Sequence, residues 1–169
     1  MACMFEREQI GASMSGGLLH LDQDLAHALS DLRAEGRFKA RWLDTLLVTH
    51  PTAGMAPGAI LVIGLGRPEA LSEGTLERAC ALAVTQALRL GARSAAFAPN
   101  LLDAGITPPP DLDIAGAMVR GAVEALELAD RLVSRGLATP ARLQAWSFDA
   151  GMANFPAAAA AFERAFDNK

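Results

Sequence analysis

Residues 59–69 read AILVIGLGRPE, and an amphipathic run from Leu76 to Leu90 follows them and ends at Gly91. A short apolar run, a turn that contains glycine and a helix-period pattern together predict a strand–loop–helix unit. The run from Ile60 to Ile63 includes no polar residue, which predicts a strand covered on both faces, as in mostly parallel sheets flanked by helices. This stretch therefore predicts an α/β fold.

The size and charge of the chain exclude several classes of protein. Its 169 residues fit one domain, so we predict a single domain over 1–169. The chain has 15 basic and 19 acidic residues, a net charge of −4, and lacks the basic surplus that drives nucleic-acid binding. No apolar run approaches the roughly 18 residues of a membrane span, and Glu6, Arg7 and Glu8 are unlike a signal peptide. We expect a cytoplasmic protein with no nucleic-acid and no membrane partner.

Further helices and strands follow from periodicity and capping residues. The first helix is predicted from about Asp22, as its N-cap, to Ala34. The other predicted elements are a short edge strand at 1–5, strands around 46–48, 94–98 and 142–148, a long helix from Asp111 or Asp113 to Ser134, and a C-terminal helix. In that last helix Phe155, Ala159, Phe162 and Phe166 are predicted to form a buried aromatic ridge.

The turn at Gly64, Gly66 and Arg67 is the candidate ligand-binding site. It is not a dinucleotide fingerprint, because Glu69 occupies the position of the third glycine. Two interpretations remain open. The glycines permit a tight turn, or the turn binds an anion or nucleotide at the carboxyl edge of the sheet, where Arg67 would meet the negative charge.

No catalytic residue, metal site or cofactor is predicted. His20, Asp24, His27 and Asp31 have helical spacing, but a metal site also needs converging ligands, and we interpret this face as solvated. Ser13 and Ser15 lie in the stretch GASMS (11–15), which lacks the second glycine of a nucleophile elbow. Cys3 and Cys80 have no CxxC neighbour, and Cys80 is predicted to be a small buried apolar residue.

The helix predicted over 113–134 has an unusually wide apolar arc. Arg120, Glu124, Glu127 and Arg131 leave only a narrow polar stripe, so the helix should be covered on more than one side. Another helix or a partner subunit could cover it, and we expect a homo-oligomer or a separate protein partner. Gly121 in the middle of the helix predicts close packing, since glycine there costs about 1 kcal/mol relative to alanine.

The middle of the chain, about Leu18 to Phe148, resembles the N-terminal domain of the leucyl aminopeptidase (M17) peptidase family. The stretches that carry the resemblance are LD (21–22), GRF (36–38), DTLLV (44–48), ILVIGLGRPE (60–69) and LERA (76–79), in this order and spacing. The chain departs from the family in two places. Its first strand is short, and in Lys39-Ala40 an alanine stands two positions after Phe38, where the family often has glycine.

The resemblance implies both a fold and a role. It implies a macro-domain-like, three-layer α/β/α fold, with a mixed, mostly parallel sheet of about five or six strands and helices on both faces. The metal-binding motif of the family's catalytic domain is absent, so the resemblance implies no peptidase activity. The implied role is oligomer assembly or regulation. The alternative is a macro-domain-type binder of ADP-ribose or another nucleotide, with Gly64, Gly66 and Arg67 contacting this small anionic ligand.

Overall fold

A computed structural model describes residues 1–8, 13–151 and 155–167, so Gly11 and Ala12 of the stretch GASMS lie outside the described residues. Helices and strands alternate along these residues, which confirms the α/β class. The strands are β1 (Ala2–Met4), β2 (Thr45–Val48), β3 (Ile60–Gly64), β4 (Ser94–Phe97) and β5 (Ala145–Phe148). The helices are α1 (Gly16–Asp24), α2 (Ala28–Ala34), α3 (Glu73–Arg89), α4 (Ile114–Ser134) and α5 (Phe155–Asp167).

The chain packs as two compact units that interleave in sequence. The first unit contains Met1–Leu71 and Pro99–Pro110, and the second contains Ser72–Ala98 and the chain from Asp111 onward. The single domain over 1–169 stays a prediction.

Each unit contains its own sheet. In the first unit β3 pairs in parallel with β1 and antiparallel with β2, and in the second unit β4 pairs in parallel with β5. The predicted mixed, mostly parallel pairing is therefore confirmed. The sequence predicts one sheet. In the structure, the five strands of the described residues instead form two sheets, one of three strands and one of two. β3 has a partner strand on each edge, β1 and β2, and β4 pairs with β5 within the second unit.

The apolar strand β3 is the centre of the first unit. All its residues are buried, which confirms the prediction that both of its faces are covered. Ile60 and Val62 pack in a cluster with Leu18, Leu25 and Leu29 of the α1–α2 region. The hydrophobic effect thus fixes the two helices against one face of the strand.

The prediction of one helix from Asp22 to Ala34 is wrong. The chain forms α1 and α2, with Ala26 (φ 53°) and His27 (φ 64°) in the left-handed region between them. Asp22 lies inside α1, and its buried carboxylate accepts hydrogen bonds from the backbone N–H groups of Leu29 and Ser30. Asp22 therefore caps the helix after the break, not its own helix.

In the second unit α3 and α4 both have side-chain caps, and Asp113 is one of the two caps that were predicted for α4. Ser72 accepts a hydrogen bond from the N–H of Thr75, and Asp113 accepts one from the N–H of Gly116. Gly121 packs tightly, because a Cβ there would overlap the carbonyl oxygen of Glu77 on α3. Cys80 is buried as predicted, and burial raises the pKa of its thiol to about 12.

The predicted aromatic ridge of α5 is not buried. Phe155 is 67% exposed and Phe166 is 51% exposed. Phe162 is half-buried and stacks on Phe148 of β5, with ring centroids 4.5 Å apart. The other half-buried residues of α5 include the alanines at 158–161, so small side chains rather than phenylalanines form most of its covered face. No helix within the described residues is long and apolar enough to cross a membrane.

Candidate functional site

The predicted ligand turn follows β3 directly. Gly64 and Gly66 are buried, and Arg67 is exposed. The backbone N–H groups of Gly64, Leu65 and Gly66 donate to the carbonyl oxygens of Asp44 (2.7 Å), Met4 (2.9 Å) and Ala40 (3.1 Å). Three N–H groups that could have met an anion are thus already bonded within the protein. Anion binding at this turn stays a prediction, and it rests on the Arg67 side chain.

The two glycines allow the segment 40–44 to approach β3 closely. A Cβ on Gly64 would overlap the carbonyl oxygen of Arg41, and a Cβ on Gly66 would lie 3.3 Å from the backbone nitrogen of Trp42. Gly66 also has a φ of +73°, which favours glycine. The close backbone approach gives both glycines a definite structural role, as in the tight-turn interpretation.

The segment 40–44, which packs against Gly64 and Gly66, has a strained backbone. Ala40 (φ 51°) and Leu43 (φ 59°) lie in the left-handed region, which costs on the order of 1–3 kcal/mol per residue for side chains of this kind. Hydrogen bonds hold the segment in place. The N–H of Leu43 donates to Gly64 (2.9 Å), and the N–H of Asp44 donates to Arg41 (2.9 Å). The surrounding structure therefore imposes this conformation.

A cleft of about 380 Å³ lies along this segment, within the first unit. We call it the basic cleft, and its lining residues are Gly36, Arg37, Phe38, Lys39, Arg41, Asp44 and Thr45. Its volume falls in the range of small-molecule sites, roughly 300–1,000 Å³. None of the predicted site residues Gly64, Gly66 and Arg67 lines it. This cleft was not predicted from the sequence.

The alternation of cationic and apolar residues along 37–41 is the sequence signal that could have indicated the cationic lining of the basic cleft. Phe38 and Ala40 are 6% and 0% exposed, whereas Arg37, Lys39 and Arg41 between and beside them are exposed. The apolar residues anchor the segment in the core, and the three cationic residues stay at the surface.

The charges around the basic cleft are only partly compensated. Arg37 has a loose ion pair with Glu35, with 3.9 Å between Nε and Oε2. Lys39 and Arg41 form no ion pair with any carboxylate among residues 1–8, 13–151 and 155–167. Asp44 is the one acidic lining residue, and its Oδ2 accepts a hydrogen bond from the N–H of Arg41 (3.0 Å).

The second candidate surface lies on α4. At 3.6 residues per turn, Gly121, Ala125, Leu128 and Leu132 form one stripe along this helix. Gly121 and Ala125 are buried, but Leu128 and Leu132 are 57% and 38% exposed. We call the last two, with the exposed Leu126, the apolar end of α4. The wide apolar arc predicted from the sequence is therefore covered along its first half and only partly covered beyond it, where Ala129 and Val133 are half-buried.

The predicted metal candidates do not converge. In the part of the chain that the structure describes, no group of three or more His, Cys, Asp and Glu side chains could hold a metal ion. His27 Nδ1 lies 3.6 Å from Asp22 Oδ2, and that carboxylate also bonds Ser30. These contacts of the Asp22 carboxylate stabilise the break between α1 and α2 instead of forming a metal site.

One family model and two solved structures are similar to the chain. The model of the cytosol aminopeptidase family, N-terminal domain, matches residues 6–136. Among solved structures, a tomato leucine aminopeptidase mutant aligns with TM-score 0.64 and 18% identity, covering 97% of this chain and 32% of that one. The bottromycin maturation enzyme BotP aligns with TM-score 0.56 and 21% identity, covering 97% and 30%. No curated protein sequence matches the chain.

These likenesses differ in what they establish. At 18% and 21% identity the two solved structures show a shared fold alone, and the chain spans about a third of their length. The family model matches 131 of the 169 residues, which is most of the chain. The resemblance seen in the sequence is confirmed, and the chain belongs to the cytosol aminopeptidase family through the N-terminal domain of that family.

Proposed function

We propose that this domain is a non-catalytic module that acts in oligomer assembly or regulation, and that it does so by self-association. The observation that carries the proposal is the apolar end of α4, since Leu128 and Leu132 continue a helix face that is buried up to Ala125. Exposed apolar patches of this kind mark protein–protein contacts in soluble proteins. The alternative to a second copy of this chain is a separately encoded partner protein, for example a peptidase. The test below distinguishes the two.

The proposed absence of peptidase activity is supported by the extent of the family match. The matched model describes the family's N-terminal domain. Purified protein should therefore not hydrolyse leucine p-nitroanilide above background, with or without added Mn²⁺ or Zn²⁺. Hydrolysis that follows the protein through purification, and that a chelator abolishes, would contradict this part of the proposal.

A cytoplasmic location is also part of the proposal. It is supported by Cys80, which is free and buried. Unpaired cysteines are typical of reducing compartments.

Self-association is tested by light scattering coupled to size exclusion, at several protein concentrations. The wild type should form a dimer or larger oligomer. The double variant Leu128→Ser/Leu132→Ser should associate at least about tenfold more weakly, since burying two leucines contributes on the order of 1.5–3 kcal/mol each. The matched control is Leu102→Ser, because Leu102 is 58% exposed and lies in the other unit.

Two results would contradict the proposal. A wild type that stays monomeric at every concentration would remove self-association and leave only the separate partner, to be sought by adding a purified peptidase of the family. Equal weakening by Leu102→Ser would show that loss of any exposed leucine acts in the same way, so the apolar end of α4 would have no special role.

A further inference from the structure

We propose that the basic cleft binds a small oxyanion, such as inorganic phosphate or the phosphate or carboxylate group of a small molecule. The inference is independent of the assembly role, because the cleft lies in the first unit and the apolar end of α4 lies in the second.

The charge of the lining is the first argument. Arg37, Lys39 and Arg41 face one acidic residue, Asp44, so the lining carries a net charge of +2 in a chain whose overall net charge is −4. A local excess of positive charge against the sign of the whole chain concentrates anions at that point of the surface. Guanidinium groups also match oxyanions in shape, because their N–H groups bond two oxygens at once.

The position of these side chains is the second argument. Phe38 and Ala40 are buried on either side of Lys39, so the backbone that carries the three cationic residues is anchored in the core. Lys39 also lies against Gly36, since a Cβ at Gly36 would be 3.1 Å from Lys39 Cε and 3.6 Å from Nζ. Ordering that exists before binding lowers the entropy lost when a ligand binds.

The strained backbone is the third argument. The left-handed Ala40 and Leu43 flank Arg41, and hydrogen bonds to Gly64 and Gly66 hold them there. Strain of this kind persists where the surrounding structure imposes it, and it occurs preferentially at ligand sites. In this arrangement Gly64 and Gly66 allow the segment 40–44 to pack closely against them, and they do not contact the anion.

Asp44 shapes the specificity of the cleft. Its Oδ2 is bonded to the N–H of Arg41 at 3.0 Å, which leaves its other oxygen able to accept a hydrogen bond from a ligand hydroxyl. A ligand that combines an oxyanion with a hydroxyl group therefore fits the lining better than a bare anion. Phosphate and hydroxycarboxylate compounds both have this chemistry.

The test is the thermal stability of the purified chain titrated with sodium phosphate, sodium citrate and, as the control for ionic strength, sodium chloride. Phosphate or citrate should raise the melting temperature in a saturable way that chloride at the same ionic strength does not reproduce. A response to phosphate alone assigns the phosphate class, a response to citrate alone assigns the carboxylate class, and a response to both assigns oxyanions in general.

Two variants locate the site. Lys39→Gln/Arg41→Gln should bind the effective anion about tenfold more weakly or worse, because each lost charged hydrogen bond accounts for at least that factor. Arg67→Gln is the matched control, an exposed arginine at the turn predicted from the sequence, and it should bind normally. Circular dichroism checks that both variants are folded.

The proposal is overturned by either of two results. In the first, no anion stabilises the wild type beyond chloride. In the second, Arg67→Gln abolishes the effect while Lys39→Gln/Arg41→Gln retains it, which would place the anion at the turn after β3.

Discussion

Gly64 has the carbonyl oxygen of Arg41 directly against its α-carbon, so its missing side chain is what lets the segment 40–44 contact β3. We predict that Gly64→Ala destabilises the protein by about 2 kcal/mol or more, because the overlap is with backbone atoms that cannot rotate away. Urea unfolding measures the loss. Gly58→Ala is the control, since nothing lies within 4 Å of its added Cβ. A Gly64→Ala loss no larger than that of Gly58→Ala would contradict the close approach.

Asp22 gives the stability a definite pH dependence. Burial raises the pKa of this carboxyl group, but hydrogen bonds from Ser30 and Leu29, with His27 nearby, outweigh burial and lower the pKa below its ordinary 3.8. The folded state therefore binds this proton more weakly than the unfolded state. The contribution to stability is fully present above the unfolded pKa and is lost as the pH falls through the folded pKa.

We predict that Asp22→Asn lowers the free energy of unfolding by about 1 kcal/mol at pH 7, and that its difference from the wild type shrinks below about pH 4. Urea unfolding at pH 7 and pH 3 measures both effects. The exposed Asp24→Asn, in the same helix, is the control and should change little at either pH. A difference from the wild type that is the same at both pH values would show that the Asp22 charge has no part in holding α2.

At the scale of elements, the α3–α4 contact is set by packing more than by charge. Arg120 bonds Glu73 at 2.7 Å and Glu77 at 3.1 Å, and the hydrogen bond to Glu77 is the main cause of its raised pKa. These side chains are partly exposed, however, and such ion pairs contribute about 0–1 kcal/mol. At Gly121 the two helices are so close that a methyl group has no room.

We therefore predict that Gly121→Ala destabilises the protein by about 1–3 kcal/mol, although alanine is the better helix former by about 1 kcal/mol. Arg120→Met should cost less than Gly121→Ala. Gly74→Ala, near the start of α3, should be neutral or stabilising by up to about 1 kcal/mol, because its nearest neighbour is the Ser72 hydroxyl at 3.9 Å. Differential scanning calorimetry of the three variants checks the order, and a stabilising Gly121→Ala would contradict tight packing.

Elements with strong local signals could be predicted from the sequence, and those set by backbone geometry could not. The apolar run of β3 is a local feature and was predicted correctly, and Asp113 is one of the two caps that were predicted for α4. The break between α1 and α2 is invisible in the periodicity, because the apolar stripe at Leu21, Leu25, Leu29 and Leu32 continues across it. The basic cleft depends on left-handed φ values at Ala40 and Leu43, and neither residue type signals them.

At the scale of the whole molecule, the first unit is completed by a distant part of the chain. Asn100 Oδ1 accepts a hydrogen bond from the N–H of Cys3 (3.1 Å), and Asp103 Oδ2 accepts one from the N–H of Leu18 (2.9 Å). We predict that a fragment of residues 1–71 does not unfold cooperatively, because it lacks these partners and the buried Leu101 and Ala104. Chemical unfolding followed by circular dichroism, with the full chain as control, tests this, and a cooperative transition in the fragment would contradict it.

The interleaving of the two units also has a consequence in time. The first 71 residues emerge from the ribosome before 72–110, the 39 residues whose last 12 complete the first unit. At about 5–20 residues per second this interval lasts roughly 2–8 s. During that interval the apolar strand β3 has emerged without all of its covering residues. The first unit is therefore exposed to aggregation, and in need of a chaperone, between the emergence of β3 and that of the segment 99–110.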